Sequence, residues 1–465
     1  MAVKDGKSLH IVMFPWLAFG HIIPYLDLSK LIAAKGHKIT FISTPRNIDR
    51  LPKLPPNLAS AISFVKIPLP KLAGLPENAE ATTDLLHAAQ MDYLKKAFDG
   101  MEPGLTRFLE ETRPDWIIYD FAPHWLPPIT ARLGIPGAFF FIINAWLLSF
   151  YGPTDALISG SDYRSEPEDF MVPPKWVKFD TRVAYRRFEA NWIVGSVHNA
   201  SSGYSDIQRG GKVIAGTEAL VIRHCREFEP EWLNVLEELH RTRIIPVGLM
   251  PPPPPVGDDE GWGSIRSWLD DRKKGSVVYV ALGSEVTPSQ DQLNELARGL
   301  ELSGVHFFWV LRKASERGSV EVEEGFEERV RGRGMVWRRW APQLRILSHD
   351  SVGGFLTHCG WSSIVEGLMF GRPLITLPFL VDQGLNSRVV VGRRLGVEIP
   401  RTEEDGSYTM NSVADSVKRV MVEDEGKKLR ENAEQVSAVV GDTNLHDGYV
   451  DSFIDFLENH RTTFT

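Results

Sequence analysis

The sequence predicts an α/β fold made of two Rossmann-like domains that face each other across a cleft. Two observations indicate this class. Strand-like and helix-like segments alternate along most of the 465 residues, and five consecutive prolines at positions 251–255 interrupt the alternation. Such alternation is typical of parallel sheets covered by helices. In these folds ligands bind at the carboxyl ends of the strands, so polar residues that follow predicted strands are candidate site residues.

The N-terminal half begins with an apolar segment, residues 9–13, which predicts a buried strand. The apolar positions that follow recur at helical spacing, with Pro24 expected in the first turn and Gly36 expected to end the helix. Further strands are predicted at residues 38–44 and 116–119. Strands and helices therefore succeed one another from the start of the chain.

The five prolines predict a semi-rigid linker, because consecutive prolines adopt polyproline II and cannot continue a helix or a central strand. We divide the chain into an N-terminal domain (1–246), the linker (247–262), a C-terminal domain (263–445) and a helical tail (446–465) expected to pack back on the N-terminal domain. In the C-terminal half, Thr287 and Pro288 are expected to be the cap and the first residue of a helix that follows the strand at 277–282. Its predicted strands are residues 277–282, 307–311, 335–337 and 352–356.

The composition excludes several classes of function. A formal net charge of −8 provides no basic surface for nucleic acid. With only Cys225 and Cys359, neither a disulfide framework nor a cysteine-rich zinc site can form, which favours the cytosol. Apolar residues 10–23 are interrupted by a proline and a histidine and favour a core strand over a signal peptide. The longest apolar run, 138–150, is too short to cross a bilayer and predicts a buried strand and pocket wall. We expect a cytoplasmic monomer without a membrane span.

A 44-residue segment, 340–383, concentrates side chains that suit the parts of a nucleotide sugar. Trp340 offers a flat face to a pyrimidine. A helix predicted to begin near residue 361 would turn its free N–H groups toward a diphosphate. Glu366, one turn further, could accept both ribose hydroxyls, and Asp382 with Gln383 follows an apolar run, where sugar hydroxyls could bind. Each residue taken singly also has an ordinary structural explanation, such as a core tryptophan or a helix cap.

Taken together, the motifs in this segment resemble the secondary-product glycosyltransferase box of plant family 1 UDP-sugar-dependent glycosyltransferases. The matching motifs are Trp-x-Pro-Gln, His-Cys-Gly-Trp, a glutamate and Asp-Gln. The resemblance implies the GT-B architecture, a UDP-sugar as co-substrate without a further cofactor, and a small-molecule acceptor. It also implies a set of residues that bind the UDP-sugar: Ser284, Trp340, Ala341, Gln343, His358, Gly360, Trp361, Ser362, Ser363, Glu366, Asp382 and Gln383.

Three positions refine the resemblance. Ser362 stands where the family usually has asparagine, and its hydroxyl can meet a phosphate oxygen but reaches less far. Gln383, where galactose users tend to have histidine, resembles glucose users. Ser284 follows a glycine at a predicted strand end, which matches a Gly-Ser pair that contacts the phosphates in the family. The expected donor is therefore UDP-glucose.

Two residues of the N-terminal half carry the expected chemistry. His21 follows the first predicted strand and Asp120 ends another, so the two could meet across the strand ends. A histidine can take the proton of an acceptor hydroxyl while a carboxylate orients the imidazole. By resemblance to the family, His21 is the general base and Asp120 is its partner. Direct displacement would invert the anomeric carbon, and no metal is expected because His358, the serines and the helix terminus bear the diphosphate charge.

Aromatic residues crowd the N-terminal half, and those near His21 and Asp120 are expected to line an apolar acceptor pocket. The expected acceptor-binding residues are Phe14, Trp16, Phe19, Phe121, Asn144, Trp146 and Phe379.

The sequence thus predicts an inverting enzyme that moves glucose from UDP-glucose to a plant small molecule. Residues 14–16 and 43–47 resemble the branch that adds sugars to sugars already attached to flavonoids or terpenoids. Direct glucosylation of a phenolic or carboxylic aglycone is the alternative within the class. A non-catalytic nucleotide-sugar-binding protein is the alternative outside it. A Rossmann dehydrogenase is disfavoured, because residues 14–20 stand where its glycine fingerprint would follow the first strand.

Overall fold

The computed structural model describes residues 8–197, 201–254, 261–283, 286, 288–311 and 321–460. Within them the strands form two parallel sheets, as the alternating pattern predicted. The first sheet contains β1 (His10–Phe14), β2 (Lys38–Ser43), β3 (Ile62–Lys66), β4 (Trp116–Tyr119), β5 (Gly137–Phe141), β6 (Ala219–Ile222) and β7 (Arg243–Pro246). The second contains β8 (Val277–Ala281), β9 (His306–Val310), β10 (Gly334–Trp337), β11 (Val352–Thr357), β12 (Leu374–Thr376) and β13 (Gly396–Glu398).

Helices connect the strands and cover the sheets. Those of the first half are α1 (Phe19–Ala34), α2 (Pro45–Asp49), α3 (Met91–Asp99), α4 (Glu102–Thr112), α5 (Leu126–Leu133), α6 (Ala145–Tyr151), α7 (Thr154–Ser159), α8 (Pro167–Phe170), α9 (Arg187–Val197), α10 (Asp206–Ala215) and α11 (Pro230–Leu239). Those of the second half are α12 (Trp262–Asp270), α13 (Gln290–Ser303), α14 (Phe326–Arg329), α15 (Gln343–Ser348), α16 (Trp361–Met369), α17 (Gln383–Gly392), α18 (Met410–Met421), α19 (Asp424–Val440) and α20 (Thr443–Asn459). Short 3₁₀ turns occur at Thr82–Asp84 and Ala88–Gln90.

Both faces of the first sheet are covered. Along β1, Ile11 and Met13 belong to one buried cluster, whereas Val12 and Phe14 belong to another. Because successive side chains of a strand point to opposite faces, each face of this strand has its own core. The cluster that contains Val12 and Phe14 continues into the second sheet through Tyr279, so apolar packing joins the two halves of the chain.

Three local predictions from the sequence were wrong. α1 begins at Phe19, so Pro24 lies in its second turn and not in its first. α13 begins at Gln290, because the side chain of Ser289 accepts a hydrogen bond from the backbone N–H of Gln292 and serves as the cap. Pro288 precedes that cap, and Thr287 lies outside the described residues.

The third wrong prediction concerns residues 138–150, which are not one strand. They are divided between β5 and α6, because the side chain of Asn144 accepts a hydrogen bond from the backbone N–H of Leu147 at 3.1 Å and caps a new helix. A side-chain oxygen at this position satisfies an N–H group that a helix start leaves without a partner. The chain therefore turns at Asn144, at the carboxyl end of β5.

The two sheets fall on either side of the predicted linker, of which residues 255–260 lie outside the described residues. The helix that ends the described chain, α20, returns to the first sheet. The indole N–H of Trp116 on β4 donates to the carbonyl of Leu457 at 2.9 Å, and its ring lies 5.6 Å from that of Phe456. Lys35 pairs with Asp451 beside them. In the described residues, no helix is both long enough and apolar enough to cross a membrane.

Each sheet has one point where the strand order reverses. The first sheet runs β3-β2-β1-β4-β5-β6-β7, and the second runs β10-β9-β8-β11-β12-β13. The reversals lie between β1 and β4 and between β8 and β11, where neighbouring chain segments leave the sheet in opposite directions. Such switch points create the crevices in which α/β proteins bind ligands. Both crevices hold residues that the sequence had marked.

Candidate active site

The switch point of the first sheet brings His21 and Asp120 together. His21 lies in the first turn of α1, which follows β1, and Asp120 follows β4, the neighbour of β1. The imidazole Nδ1 lies 2.7 Å from the Asp120 carboxylate Oδ2. Asp120 is only 2% exposed, whereas the His21 side chain keeps 22% of its surface exposed. The pair thus consists of a buried carboxylate and a histidine that is accessible from outside.

Backbone N–H groups fix the Asp120 carboxylate. Its Oδ2 accepts from Trp16 N–H at 3.0 Å, and its Oδ1 accepts from Phe121 N–H at 2.8 Å. With the His21 contact, three N–H donors converge on one carboxylate, which therefore has a single orientation. The carboxylate in turn favours the tautomer that carries its proton on Nδ1, so the lone pair of His21 is on Nε2. This arrangement suits a general base.

The switch point of the second sheet is built around His358, which follows β11. Gly283, at the end of neighbouring β8, has φ +74° and packs so closely that a Cβ there would lie 2.6 Å from the His358 ring. A Cβ on Gly360 would lie 2.7 Å from the same ring. Burial lowers the pKa of His358 to about 4, so the ring is neutral. Among the described residues its buried Nδ1 has no hydrogen-bond partner, which is unusual for a buried polar group. Ser284 lies outside the described residues.

Helix α16 begins directly after this histidine, with Gly360 preceding its first residue, Trp361. Its first turn carries Ser362 and Ser363 and presents N–H groups that lack helical partners. An anion such as a diphosphate is favoured at such a terminus. Ser362 is also contacted from the first domain, because Arg223 Nη1 donates to its Oγ at 2.7 Å. Arg223 was not among the site residues expected from the sequence, and only its place immediately after a strand could have indicated it.

One end of this crevice suits a nucleoside. Trp340 is 58% exposed, a large exposed aromatic surface of the kind that stacks on a base. Glu366 and Gln343 lie together, with Gln343 Nε2 donating to Glu366 Oε2 at 2.6 Å. Burial raises the pKa of Glu366. Ala341 is buried beside them, so the segment from Trp340 to Glu366 offers one ring face and one acid–amide pair.

The other end suits a sugar. Asp382 and Gln383 are both nearly buried, at 8% and 7% exposure. Burial raises the pKa of Asp382 to about 6. The Gln383 carbonyl oxygen already accepts from the backbone N–H groups of Phe379 and Leu380 at 2.8 and 2.9 Å. Its amide nitrogen is therefore the part that a sugar hydroxyl would meet.

Asn386, one helical turn after Asp382, joins the two halves of the site. It was not among the site residues expected from the sequence. Its Oδ1 accepts from Asn144 Nδ2 and from Trp146 Nε1, both at 2.8 Å. Its Nδ2 donates to Asp382 Oδ2 at 2.6 Å and to the carbonyl of Cys359 at 2.9 Å. The i, i+4 spacing from Asp382 was the only sequence signal. All four contacts are buried, so this amide connects the turn at Asn144 to the Asp382 carboxylate.

Two strained backbone positions adjoin that amide. Cys359 has φ +68° and Val381 has φ +46°, a region that residues other than glycine seldom occupy. Such conformations persist only where the surrounding structure enforces them, and they cluster at functional sites. Asn386 is bonded to Cys359 and to Asp382, the neighbour of Val381. The strain therefore lies in the two turns that carry the candidate donor residues.

The predicted acceptor residues divide into two groups. Phe19, Phe121 and Phe379 keep part of their surface exposed, and the Phe121 ring lies 5.7 Å from that of His21. The others are buried by packing or hydrogen bonding within the protein: Phe14, Trp16, Asn144 and Trp146. In this arrangement of side chains, the first group is the accessible one. Contact of either group with an acceptor stays a prediction.

No group of three or more His, Cys, Asp or Glu side chains in the described residues is arranged to hold a metal ion. The groups that face the candidate diphosphate position are instead a neutral histidine, two serines and a helix terminus. Arg223 adds a cation from the first domain. The role of each of these residues in donor binding stays a prediction.

Comparison with known proteins gives the family. A family model for UDP-glucoronosyl and UDP-glucosyl transferase matches residues 267–454. UDP-glycosyltransferase 91A1 of Arabidopsis thaliana is 52% identical, with 98% of each chain covered. Soyasaponin III rhamnosyltransferase of Glycine max is 41% identical, with 98% of this chain and 97% of the relative covered. Anthocyanidin-3-O-glucoside rhamnosyltransferase of Petunia hybrida is 33% identical, with 97% and 96% covered.

The fold is also shared with a solved structure. The crystal structure of UGT73P12 of Glycyrrhiza uralensis, complexed with glycyrrhetinic acid 3-O-monoglucuronide, superposes with a TM-score of 0.81 at 24% identity, covering 97% of this chain and 96% of that one. The expected GT-B architecture is thereby confirmed. With relatives that match over nearly their whole length, the chain belongs to the plant family 1 glycosyltransferases and is an enzyme that uses a UDP-sugar as donor.

Proposed function

We propose that the protein transfers glucose from UDP-glucose to a sugar hydroxyl of a flavonoid or terpenoid glycoside, with inversion at the anomeric carbon. The observation that carries this proposal is the 2.7 Å contact between His21 and a buried Asp120 at the switch point of the first sheet. A silent nucleotide-sugar-binding protein has no need of a buried carboxylate that orients an accessible histidine. The pair supports catalysis over binding alone.

In the proposed reaction His21 Nε2 takes the proton of the acceptor hydroxyl as its oxygen attacks the anomeric carbon. The new carbon–oxygen bond forms while the bond from the anomeric carbon to the phosphate oxygen breaks, and UDP leaves with that electron pair. Attack opposite to the leaving group converts an α-linked donor into a β-glycoside. Asp120 stabilises the imidazolium that results, as its three N–H contacts keep it in place.

The choice of glucose rests on the sugar end of the crevice. Asp382 and the Gln383 amide nitrogen would bind neighbouring hydroxyls of a hexose, and Trp361 lies in the first turn of the helix beside them. Two relatives are named rhamnosyltransferases, so sugar choice varies among the relatives of this chain. Equal concentrations of UDP-glucose, UDP-galactose, UDP-glucuronate and UDP-rhamnose in one competition assay would measure it. Clear preference for another sugar would refute glucose as donor.

A glycoside acceptor is supported by a cavity of about 370 Å³ beside the loop that carries Phe379. Neither His21 nor Asp120 lines this cavity, so it would receive the part of the acceptor that is remote from the reacting hydroxyl. Aromatic rings and polar side chains line it together, which is the combination that binds the faces and hydroxyls of a sugar. These lining side chains include Tyr185, Phe188, Asn191, Trp192, Glu404 and Asp405. The relative from Petunia hybrida is named for an anthocyanidin-3-O-glucoside acceptor, which agrees with this choice.

One assay separates the alternatives. Matched pairs of aglycone and glucoside are incubated with UDP-glucose, and products are read by mass spectrometry, with His21→Ala as the inactive control. A glycoside-directed enzyme should extend the glucosides and leave most aglycones unchanged. Trp192→Ala should raise KM for the glucoside without changing KM for UDP-glucose. Preferential glucosylation of phenols or carboxylates would support the aglycone alternative, and UDP-glucose binding without any product would support the binding protein.

A further inference from the structure

Arg223 is a buried cation that forms no salt bridge within the described part of the chain. It follows β6 at the carboxyl edge of the first sheet and is 5% exposed. Its guanidinium donates to the carbonyl of Leu249 at 2.8 Å, to the carbonyl of Met250 at 3.3 Å and to Ser362 Oγ at 2.7 Å. All three acceptors are uncharged. None of the ion pairs between described residues includes this arginine.

The position of this cation is electrostatically unfavourable on its own. Burial of a charge without a salt bridge is costly. Burial lowers the pKa of Arg223 to about 10, against the opposing charges of Asp27 and Glu366, so the side chain is still charged at neutral pH. It lies beside the first turn of α16, where the helix terminus is itself partly positive. Two positive groups therefore face the same place. An anion bound there would stabilise both.

Ser362 connects Arg223 to the position in front of the first turn of α16, where an anion would bind. A serine hydroxyl can accept one hydrogen bond and donate another. Because Arg223 Nη1 already donates to Ser362 Oγ, the hydroxyl proton is directed to a different acceptor. The neighbouring His358 ring is neutral. Its Nδ1 also has no hydrogen-bond partner among the described residues.

We propose that Arg223 is a positioning residue for the donor diphosphate. It acts through Ser362, orients that hydroxyl toward a phosphate oxygen and supplies positive charge from the opposite domain as UDP leaves. The inference rests on the proposed function in one respect, namely that the donor carries a diphosphate. It adds a charged group of the first domain to a site whose expected phosphate contacts all belong to the second.

The same guanidinium connects phosphate binding to the arrangement of the domains. Leu249 and Met250 stand where the first domain passes into the proline segment, and Met250 has φ +51°. The backbone oxygen of Arg223 also accepts from the indole N–H of Trp361 at 3.1 Å. Arg223 thus contacts both the start of the linker and the first turn of α16. Binding of the diphosphate should therefore make the contact between the domains tighter.

The test is a ligand series that differs only in phosphate. Affinities for uridine, UMP and UDP are measured by calorimetry for the wild type, Arg223→Met, Arg223→Lys, Ser362→Ala and, as a matched control, Arg226→Met. Arg226 lies three residues away, is exposed and pairs with Glu237. We expect Arg223→Met to lose at least 10-fold in UDP affinity and to keep uridine affinity within 2-fold. Arg223→Lys should recover part of the loss, Ser362→Ala should lose several-fold, and Arg226→Met should match the wild type.

The outcomes separate a phosphate role from a structural one. Parallel loss of uridine and UDP affinity in Arg223→Met would mean that the arginine only holds the linker, and unchanged UDP affinity would mean that its charge does not reach the phosphates. Either result overturns the inference. Ser362→Ala removes one hydroxyl at a partly exposed position and tests the same route if Arg223→Met fails to fold. Absence of UDP binding by the wild type would instead contradict the proposed function.

Discussion

Replacing His21 tests the centre of the proposed chemistry. A positioned general base contributes typically 10²–10⁴-fold to rate, which is about 2.7–5.4 kcal/mol of barrier at about 1.36 kcal/mol per factor of ten. We expect His21→Ala to lose at least 100-fold in turnover with an alkyl hydroxyl acceptor. UDP affinity should stay near the wild-type value, because the candidate donor residues lie at the switch point of the other sheet.

Asp120→Asn should lose less turnover than His21→Ala, and the contacts of the Asp120 carboxylate explain why. The carboxylate receives N–H groups from Trp16, Phe121 and His21, so an asparagine amide must turn its own N–H₂ toward one of these donors. The variant therefore loses the charge that stabilises the imidazolium and one backbone hydrogen bond, which costs about 1–3 kcal/mol of stability. Turnover should fall about 10–100-fold, while the base itself remains.

The double variant is the decisive measurement. Residues that act as a unit are non-additive, so His21→Ala combined with Asp120→Asn should be scarcely slower than His21→Ala alone. Initial rates with saturating UDP-glucose and calorimetric UDP affinity are compared for the four proteins. His460→Ala, at the far end of α20, serves as a histidine control. Near-normal transfer by a folded His21→Ala, or fully additive losses, would refute the assignment of His21 as base. An acceptor with an acidic hydroxyl should be less affected throughout.

Three further predictions follow from the donor crevice. Asn386→Ala should lower stability by about 2–5 kcal/mol, because two buried donors lose their acceptor. The same variant should raise KM for UDP-glucose more than it raises the dissociation constant of UDP, because Asn386 holds Asp382. Equal changes in both constants would contradict this link to Asp382. Because burial raises the pKa of Asp382 from 3.8 to about 6, the folded protein binds a proton there more tightly than the unfolded chain. The contribution of this proton to stability is therefore lost as pH rises from about 4 to about 6. In a His21→Ala background, UDP-glucose affinity relative to UDP should rise over the same interval, and Asp382→Asn should abolish that rise. Turnover should be unchanged in EDTA, and a loss restored by magnesium or manganese would refute metal independence.

Several features of the protein could be read from residue order alone. Parallel strands alternate with helices, and this pattern depends on the local spacing of apolar residues, which the sequence displays directly. The candidate donor residues from Trp340 to Gln383 lie in a single segment of the sequence, so their motif can be recognised without any knowledge of the fold. His21 and Asp120 were predicted together because His21 follows one predicted strand and Asp120 ends another, and parallel strands end at the same edge of a sheet.

Element boundaries were less predictable, because they depend on single side-chain contacts. Asn144 divides one apolar run into a strand and a helix by accepting one hydrogen bond. Ser289 caps α13 two residues after Thr287, which the sequence predicted as the cap. Hydrophobic patterning is nearly the same for either choice. The competition between cap residues is decided by the geometry of the chain that follows them.

The contacts between the domains could be decided only by the tertiary structure. Arg223 meets Ser362 across 139 positions, and Asn386 meets Asn144 and Trp146 across more than 200, with no periodicity that relates them. The sequence determined which chemical groups the protein carries and the edge of each sheet at which they stand. Packing of the two sheets determined which of those groups are buried, hydrogen-bonded and charged against one another, because burial and partner distance are properties of the folded surface and not of residue order.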